Sequence, residues 1–171
     1  MAKIVNIVGS QSNVGKTTLI EGLIKELKSR GLTIGTIKHD IHGFDIDQKG
    51  KDTYRHSKAG SDTVIISSKN KMAFIKNVKE EISLEKLISL TKDKDVIIVE
   101  GYKNSDLRKI EVYRSELCNE IITKKEKLIA IASDIEISYY GRKSIDNKDF
   151  KSLADLILKE KDYHKNNQSV F

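Results

Sequence analysis

The sequence predicts an α/β domain of three layers, with a mostly parallel but mixed central sheet and helices on both faces. Three observations predict it. A β-branched run, Ile4 to Val8, passes through the Gly-bearing loop Gly9-Ser10-Gln11-Ser12-Asn13-Val14-Gly15-Lys16-Thr17-Thr18 into the amphipathic segment Leu19 to Lys28. Two further short apolar runs, Thr33 to Ile37 and Val96 to Val99, each end in charged residues. Right-handed crossovers between parallel strands would bring all three carboxyl ends to one edge. Finally, Thr63 to Ser67 and Met72 to Val78 flank the turn Ser68-Lys69-Asn70-Lys71, so a locally paired, antiparallel piece is expected in the sheet.

The first loop sets the chemistry. A strand, a Gly-bearing loop and a helix in that order form a phosphate-binding loop. Successive backbone N–H groups converge on one anion as a nest, and the helix adds its positive N-terminal end. Gly9, Ser12, Asn13, Val14, Gly15, Lys16, Thr17 and Thr18 are therefore the predicted phosphate-binding residues. Lys16 supplies a flexible point charge for the β- and γ-phosphates, and the Thr17 hydroxyl is placed to complete a Mg²⁺ shell. Five residues separate Gly9 from Gly15 where the usual pattern has four, and Ser10 stands at the expected first glycine.

In the following helix Leu19, Ile20, Leu23, Ile24 and Leu27 recur at helical spacing, and Gly31 reads as a C-terminal cap. Gly22 interrupts this face at a cost of ~1 kcal/mol relative to alanine, which implies close approach to the sheet. The strand Thr33 to Ile37 delivers Lys38, His39 and Asp40 to the edge of the phosphate loop. A polar loop from His39 to Asp52 follows, with Gly43 and Gly50 as turn points; loops of this length are usually functional or disordered. Thr53 to Ala59 reads as a short helix, capped by Asp52 or Thr53 and closed by Gly60. Leu84, Leu87, Ile88 and Leu90 define another helix after a Ser83 cap.

The run Val96 to Val99 ends in Glu100, the second element of a nucleotide site. A carboxylate there holds Mg²⁺ directly or through water, or polarises an attacking water. Lys16 and Glu100 are thus the candidate catalytic residues, and Thr17 and Glu100 the candidate metal ligands. At most one of Asp45, Asp47 and Asp52 joins that ion, since an octahedral Mg²⁺ also takes phosphates and waters. Ile110 to Tyr113 and Leu128 to Ala132 read as strands, Phe150, Leu153, Ala154 and Ile157 as the face of a last helix, and Lys159 onward as a frayed tail. The 171 residues are expected to form one domain, burying roughly 70% of the unfolded surface.

Composition narrows the partners. The net charge is +6, but Lys and acidic residues are interspersed along the whole length. That favours a solvated surface and a site for a polyanionic small ligand over nucleic acid. No aromatic and basic interleaving supports base stacking, and Tyr102, Tyr139 and Tyr140 read as packing or interface residues. The one cysteine, Cys118, excludes an intramolecular disulfide. No apolar run approaches the 18 residues of a membrane span, and the N-terminus enters a strand almost at once, so a cytosolic protein without signal peptide is expected. His39 and His42 with Asp45 and Asp47 have zinc-like spacing but no Cys nearby, and the phosphate reading of the loop is preferred. Lys51 and Arg55 are candidate electrophilic clamps.

The longer loop resembles that of dethiobiotin synthetase and cobyric-acid-type amidases. Four stretches together resemble one family, the molybdopterin-guanine dinucleotide biosynthesis proteins B (MobB). They are Val8 to Thr18, Ile37 to Gly60 with His39, His42, Phe44, Asp45, Asp47, Gly50, Lys51, Asp52, Thr53, Tyr54 and Arg55, then Ile98-Val99-Glu100-Gly101-Tyr102-Lys103, and Ala130 to Asp134. The resemblance covers roughly residues 3 to 158 and implies a P-loop NTPase domain that binds GTP with Mg²⁺ and hydrolyses it slowly. It also implies a homodimer that assists the guanylyltransferase attaching GMP to molybdopterin, as an adaptor. By motif it assigns Lys16 and Thr17 to phosphate and metal and Glu100 to the metal. The His39 to Asp52 loop, with Asp45, Asp47, Lys51 and Asp52, falls to the γ-phosphate side or to the partner, and Lys38, brought to the same edge by its strand, is a further candidate binding residue. No Asn-Lys-x-Asp base-reading motif is present; Asn147-Lys148-Asp149-Phe150 has the wrong spacing, which leaves Ser133-Asp134 as the geometric candidate for reading the base. The alternative reading is an ATP-dependent small-molecule ligase or kinase of the dethiobiotin-synthetase class.

Overall fold

The computed structural model describes residues 2–163. The chain runs β1 (Lys3–Val8), α1 (Lys16–Ser29), β2 (Ile34–Lys38), α2 (Asp52–Lys58), β3 (Thr63–Ser67), β4 (Met72–Lys76), α3 (Leu84–Ser89), β5 (Val96–Glu100), β6 (Lys109–Tyr113) and β7 (Leu128–Ser133). It closes with β8 (Ser138–Tyr139), β9 (Arg142–Lys143), β10 (Ile145–Asp146) and α4 (Phe150–Lys159). These elements form two compact units, one of residues 2–39 and 85–163 and the other Asp40–Leu84, where the sequence predicts one domain.

The larger unit is built on a six-stranded sheet of order β10-β7-β6-β1-β5-β2. Every pairing in it is parallel. The strands at its centre are buried on both faces, as a parallel sheet requires, and β1, β5 and β7 read accordingly as near-continuous Val, Ile and Ala runs. On one face α1 and α4 pack together, and Leu19, Leu23, Leu27, Leu153 and Ile157 join Val5, Ile7, Ile98 and Ile110 in the core. The other face takes the short α3 and irregular chain: Thr91, just beyond α3, packs on Gly35, whose strand partner Ile97 faces the same way. Segment 102–107 lies there too, bound by Asn6, as does Ile122-Thr123, bound by Glu111. The three-layer α/β architecture with helices on both faces is therefore as the sequence predicts.

Four local expectations change. The β3–β4 pair is antiparallel through the Ser68–Lys71 turn but forms a two-stranded sheet of its own, so the mixed character predicted for the central sheet is absent among the described strands. Gly22 makes its close approach to α4: a Cβ there would lie 2.2 Å from Phe150 Cε1, so the missing side chain accommodates a neighbouring helix and not the sheet. The cap of α2 is Lys51, in extended conformation and without a side-chain cap bond, and Asp52 is already helical. Lys159 onward is not frayed as far as Tyr163. Arg108 Nε pairs with Glu160 at 2.9 Å, Lys3 Nζ with Asp162 at 2.7 Å, and Tyr163 N–H donates to Ala2 O at 3.1 Å. The remainder of the predicted tail lies outside the described residues.

Gly31 terminates α1 as expected. At φ +81° its N–H donates to Lys28 O, while Leu32 N–H donates to Leu27 O, the paired bonds of a Schellman motif. Two-residue strands β8 and β9 meet through Tyr140-Gly141, both with positive φ, which suits the right-handed twist of a tight hairpin.

In the smaller unit, Asp47 organises the turn into α2. Its Oδ1 accepts from Thr53 Oγ1 at 2.8 Å and from Gln48 N–H at 3.0 Å. The β3–β4 hairpin buries Val64 and exposes Ile65, Ile66, Met72 and Phe74. Among the described residues no helix is long and apolar enough to cross a membrane.

Candidate functional site

The carboxyl ends of β1, β5 and β2 lie side by side because the strands are parallel and in register. Ile7 pairs with Glu100, and Lys38 pairs with Glu100 from the other side. The loop Gly9 to Gly15 leaves this edge from β1 and turns into α1. Gly9 is required at the exit, since a Cβ there would sit 2.6 Å from Val14 Cγ2 and 3.2 Å from Val112 O. Asn13 at φ +61° and Gly15 at φ +99° alternate with Val14, the left- and right-handed alternation that turns successive N–H groups inward as a nest. Gly15 is the N-cap of α1, and its carbonyl accepts the first helical bond, from Leu19 at 3.0 Å. The N–H groups of the first turn, Lys16, Thr17 and Thr18 among them, are those an α-helix leaves for an external acceptor.

The loop is fastened at its entry. Lys16 Nζ donates to Gln11 O at 2.9 Å and Lys103 Nζ to Ser10 O at 2.9 Å. The Gln11 amide reaches Leu117 O beyond β6. The Lys16 ammonium is pushed below its ordinary pKa, first by burial; Glu100 opposes that shift, and Lys103 and Lys38 add to it. Three cations thus share the neighbourhood of one carboxylate. An arrangement of that charge holds a polyanion, and the carboxylate fits it when a divalent cation lies between. Thr17, directly after Lys16, and Glu100 offer hydroxyl and carboxylate oxygens, the hard donors that Mg²⁺ prefers, and Mg²⁺ takes only one or two protein oxygens beside phosphates and water. Among the described residues no three His, Cys, Asp or Glu gather as a metal site of their own.

His39 follows β2 at the same edge. Its N–H donates to Glu100 O at 3.0 Å, and its ring stacks on Tyr102 at 4.3 Å between centroids. Gly101, at φ +88°, makes room for this: a Cβ would lie 3.0 Å from His39 Cβ. The structure therefore gathers Gly9, Ser12 to Thr18, Lys38, His39 and Glu100 at one sheet edge. Asp45, Asp47, Lys51 and Asp52 belong to the smaller unit. There Asp47 holds the start of α2, Asp52 faces Arg55 at 3.8 Å, and Asp45 and Lys51 are exposed. At the end of β7, Asp134 accepts from both Ser115 N–H and Ser115 Oγ, at 2.9 and 3.0 Å, and these bonds hold its carboxyl below the usual range. Ser133 is buried and its hydroxyl oxygen accepts from Ile135 N–H.

Sequence reasoning passed over three polar side chains beneath the site. Asn6 is fully buried and donates to Tyr102 O at 3.1 Å and Ser105 Oγ at 3.0 Å. Lys109, its neighbour across the β1–β6 pair, is 4% exposed and donates to the carbonyls of Ser105 and Leu107, and burial lowers its pKa. Buried Glu111 accepts from the N–H groups of Ile122 and Thr123. The available signal was a polar residue within a strand whose neighbours are buried on both faces.

Comparison with known proteins agrees with this architecture. The profile of the family described as Molybdopterin guanine dinucleotide synthesis protein B matches residues 4–134. The molybdopterin-guanine dinucleotide biosynthesis adapter protein of Escherichia coli K12 is 35% identical over 153 residues, 86% of this chain and 87% of the relative. The adapter protein of the same description from Haemophilus influenzae is 32% identical over 151 residues, 85% and 83% of the two chains. The crystal structure of Bacillus subtilis MobB superposes with a TM-score of 0.73 at 26% identity, covering 91% of this chain and 96% of that one. A strand, a loop fastened by Lys16 and a carboxylate-ended β5, together with similarity that spans most of the sequence and most of the fold, place the chain in the molybdopterin guanine dinucleotide synthesis protein B family.

Proposed function

We propose that this chain is a Mg²⁺-dependent GTP-binding adaptor with weak GTPase activity, acting in the guanylylation of molybdopterin during molybdenum cofactor biosynthesis. The observation that carries the reading is the loop from β1 into α1, with positive φ at Asn13 and Gly15 and with Lys16 Nζ folded onto Gln11 O, beside the β5 end that carries Glu100. The loop N–H groups and Lys16 hold the β- and γ-phosphates. Thr17 and Glu100 hold the ion, which when bound bridges phosphate oxygens and neutralises the charge that accumulates there. His39, packed on Tyr102, borders the same edge. The adaptor role, the choice of guanine and the partner, a molybdopterin guanylyltransferase, follow the adapter relatives and the family resemblance. The protein works in the cytosol as a homodimer.

The test is a comparison of Mg²⁺-GTP and Mg²⁺-ATP binding by the purified chain, followed by a hydrolysis assay. Preference for GTP with slow turnover, below the ordinary enzymatic range of about 1 to 10³ s⁻¹, is the expected result. Preference for ATP, with fast turnover in the presence of a small carboxylic or amine substrate, would favour instead the ligase or kinase reading that the lengthened loop suggests.

A further inference from the structure

We propose that Lys103 is a second phosphate-binding lysine, which takes the terminal phosphate of the bound nucleoside triphosphate beside Lys16. The inference rests on the nucleotide reading above and adds a residue that the phosphate-loop pattern does not contain. Lys103 comes from the segment after β5, yet its ammonium lies on the phosphate loop, 2.9 Å from Ser10 O. Lys16 lies on the very next carbonyl, Gln11 O, also at 2.9 Å. Because a phosphate-loop lysine serves the β- and γ-phosphates, the entry half of the loop is the terminal-phosphate side. Both ammonium groups occupy that side, on adjacent carbonyls of the loop.

The backbone that carries Lys103 is fixed with unusual care for an irregular segment. Gly101 and Tyr102 adopt positive φ, +88° and +46°. The Tyr102 ring is stacked on His39, and its carbonyl is held by the fully buried Asn6 amide. Lys109, 4% exposed, ties down the carbonyls of Ser105 and Leu107 just beyond. Two buried polar side chains, each costly to desolvate, are thus spent on the segment that aims Lys103. The side chain itself is exposed and long, so its head can exchange acceptors while its stem stays. On Ser10 O it uses one of three N–H donors, and a phosphate oxygen is the stronger, charge-assisted acceptor.

The test is calorimetry of Mg²⁺-GTP and Mg²⁺-GDP on the full chain, wild type against Lys103→Ala, Lys103→Met and Lys103→Arg, with thermal melts of each. The loss of one charge-assisted bond predicts about tenfold weaker GTP binding in Lys103→Ala and Lys103→Met, with GDP changed less than about twofold. Lys103→Arg retains most of the GTP affinity, and the melting temperatures stay together. A lysine that only braces the Ser10 carbonyl would cost GTP and GDP affinity alike, and that result overturns the proposal, as does unchanged GTP affinity. Wild-type protein that binds neither nucleotide overturns the nucleotide reading itself. Wild type that binds GTP, beside an indifferent Lys103→Ala, overturns this inference alone.

Discussion

Glu100 lies in the neighbourhood of Lys16, Lys38 and Lys103, and the proposed function gives its carboxylate the task of holding a divalent cation against the phosphates. Glu100→Gln keeps the size of the side chain and removes the charge. It should therefore weaken Mg²⁺-GTP binding, spare nucleotide binding in chelator, and lower hydrolysis. Unchanged Mg²⁺-GTP binding and turnover in that variant would reduce Glu100 to a strand-end carboxylate. Asp134 offers a second single-residue test, one that reads stability. Its folded pKa lies below the ordinary 3.8, first because Ser115 N–H and then because Ser115 Oγ favour the ionised form. The unfolded chain binds the proton more readily, so the contribution is full above about pH 4 and drains as pH falls through the lowered folded value. Thermal melts of wild type and Asp134→Asn should differ at neutral pH and converge on acidification; a gap independent of pH would assign the effect to packing.

Gly22 shows how an element can be recognised while its neighbour is not. The helical period of α1 was legible, and so was the need for a close approach, but a glycine says nothing about what approaches. The partner is the Phe150 ring of α4, 2.2 Å from where a Cβ would stand. Gly22→Ala gains up to about 1 kcal/mol of helix propensity and meets an overpacking penalty of about 1–3 kcal/mol. Net destabilisation is expected by urea melts, and Gly22→Ala combined with Phe150→Leu should recover it. If Gly22→Ala alone stabilises, the α1–α4 contact is looser than described. The hairpin of β3 and β4 has a similar history: turn residues at Ser68–Lys71 announced the pairing, but local turn chemistry carries no information on which sheet the pair joins. Strands of two residues, such as β8, β9 and β10, are too short to leave a period. The sequence predicts β6 from Ile110, because a charged residue beside an apolar run resembles an end, and the structure begins it at Lys109. In a sheet covered on both faces it is instead a buried donor.

At the scale of the whole molecule, parallel strands carry their carboxyl ends to one edge, and this explains why residues as far apart in sequence as Lys16, Lys38 and Glu100 form one site. The loop from β1 into α1 and the position of Glu100 at the end of β5 were legible because a strand, a Gly-bearing turn and a helix follow in order and an apolar run stops at a carboxylate. The pinning of the 102–107 segment by Asn6 and Lys109 was not, because it depends on strand neighbours. A homodimer should sediment at about twice the 19.3 kDa chain mass at micromolar concentration; only the single-chain species there would remove the dimer. The most direct test of the phosphate site is calorimetry of GTP and of guanosine on wild type and Lys16→Ala, with circular dichroism to confirm the fold. Lys16→Ala should stay folded and lose triphosphate affinity far more than guanosine affinity, since the role proposed for the lysine is toward phosphate and not toward the base. Equal GTP affinity in the two proteins would show that the loop at the head of α1 does not hold the nucleotide.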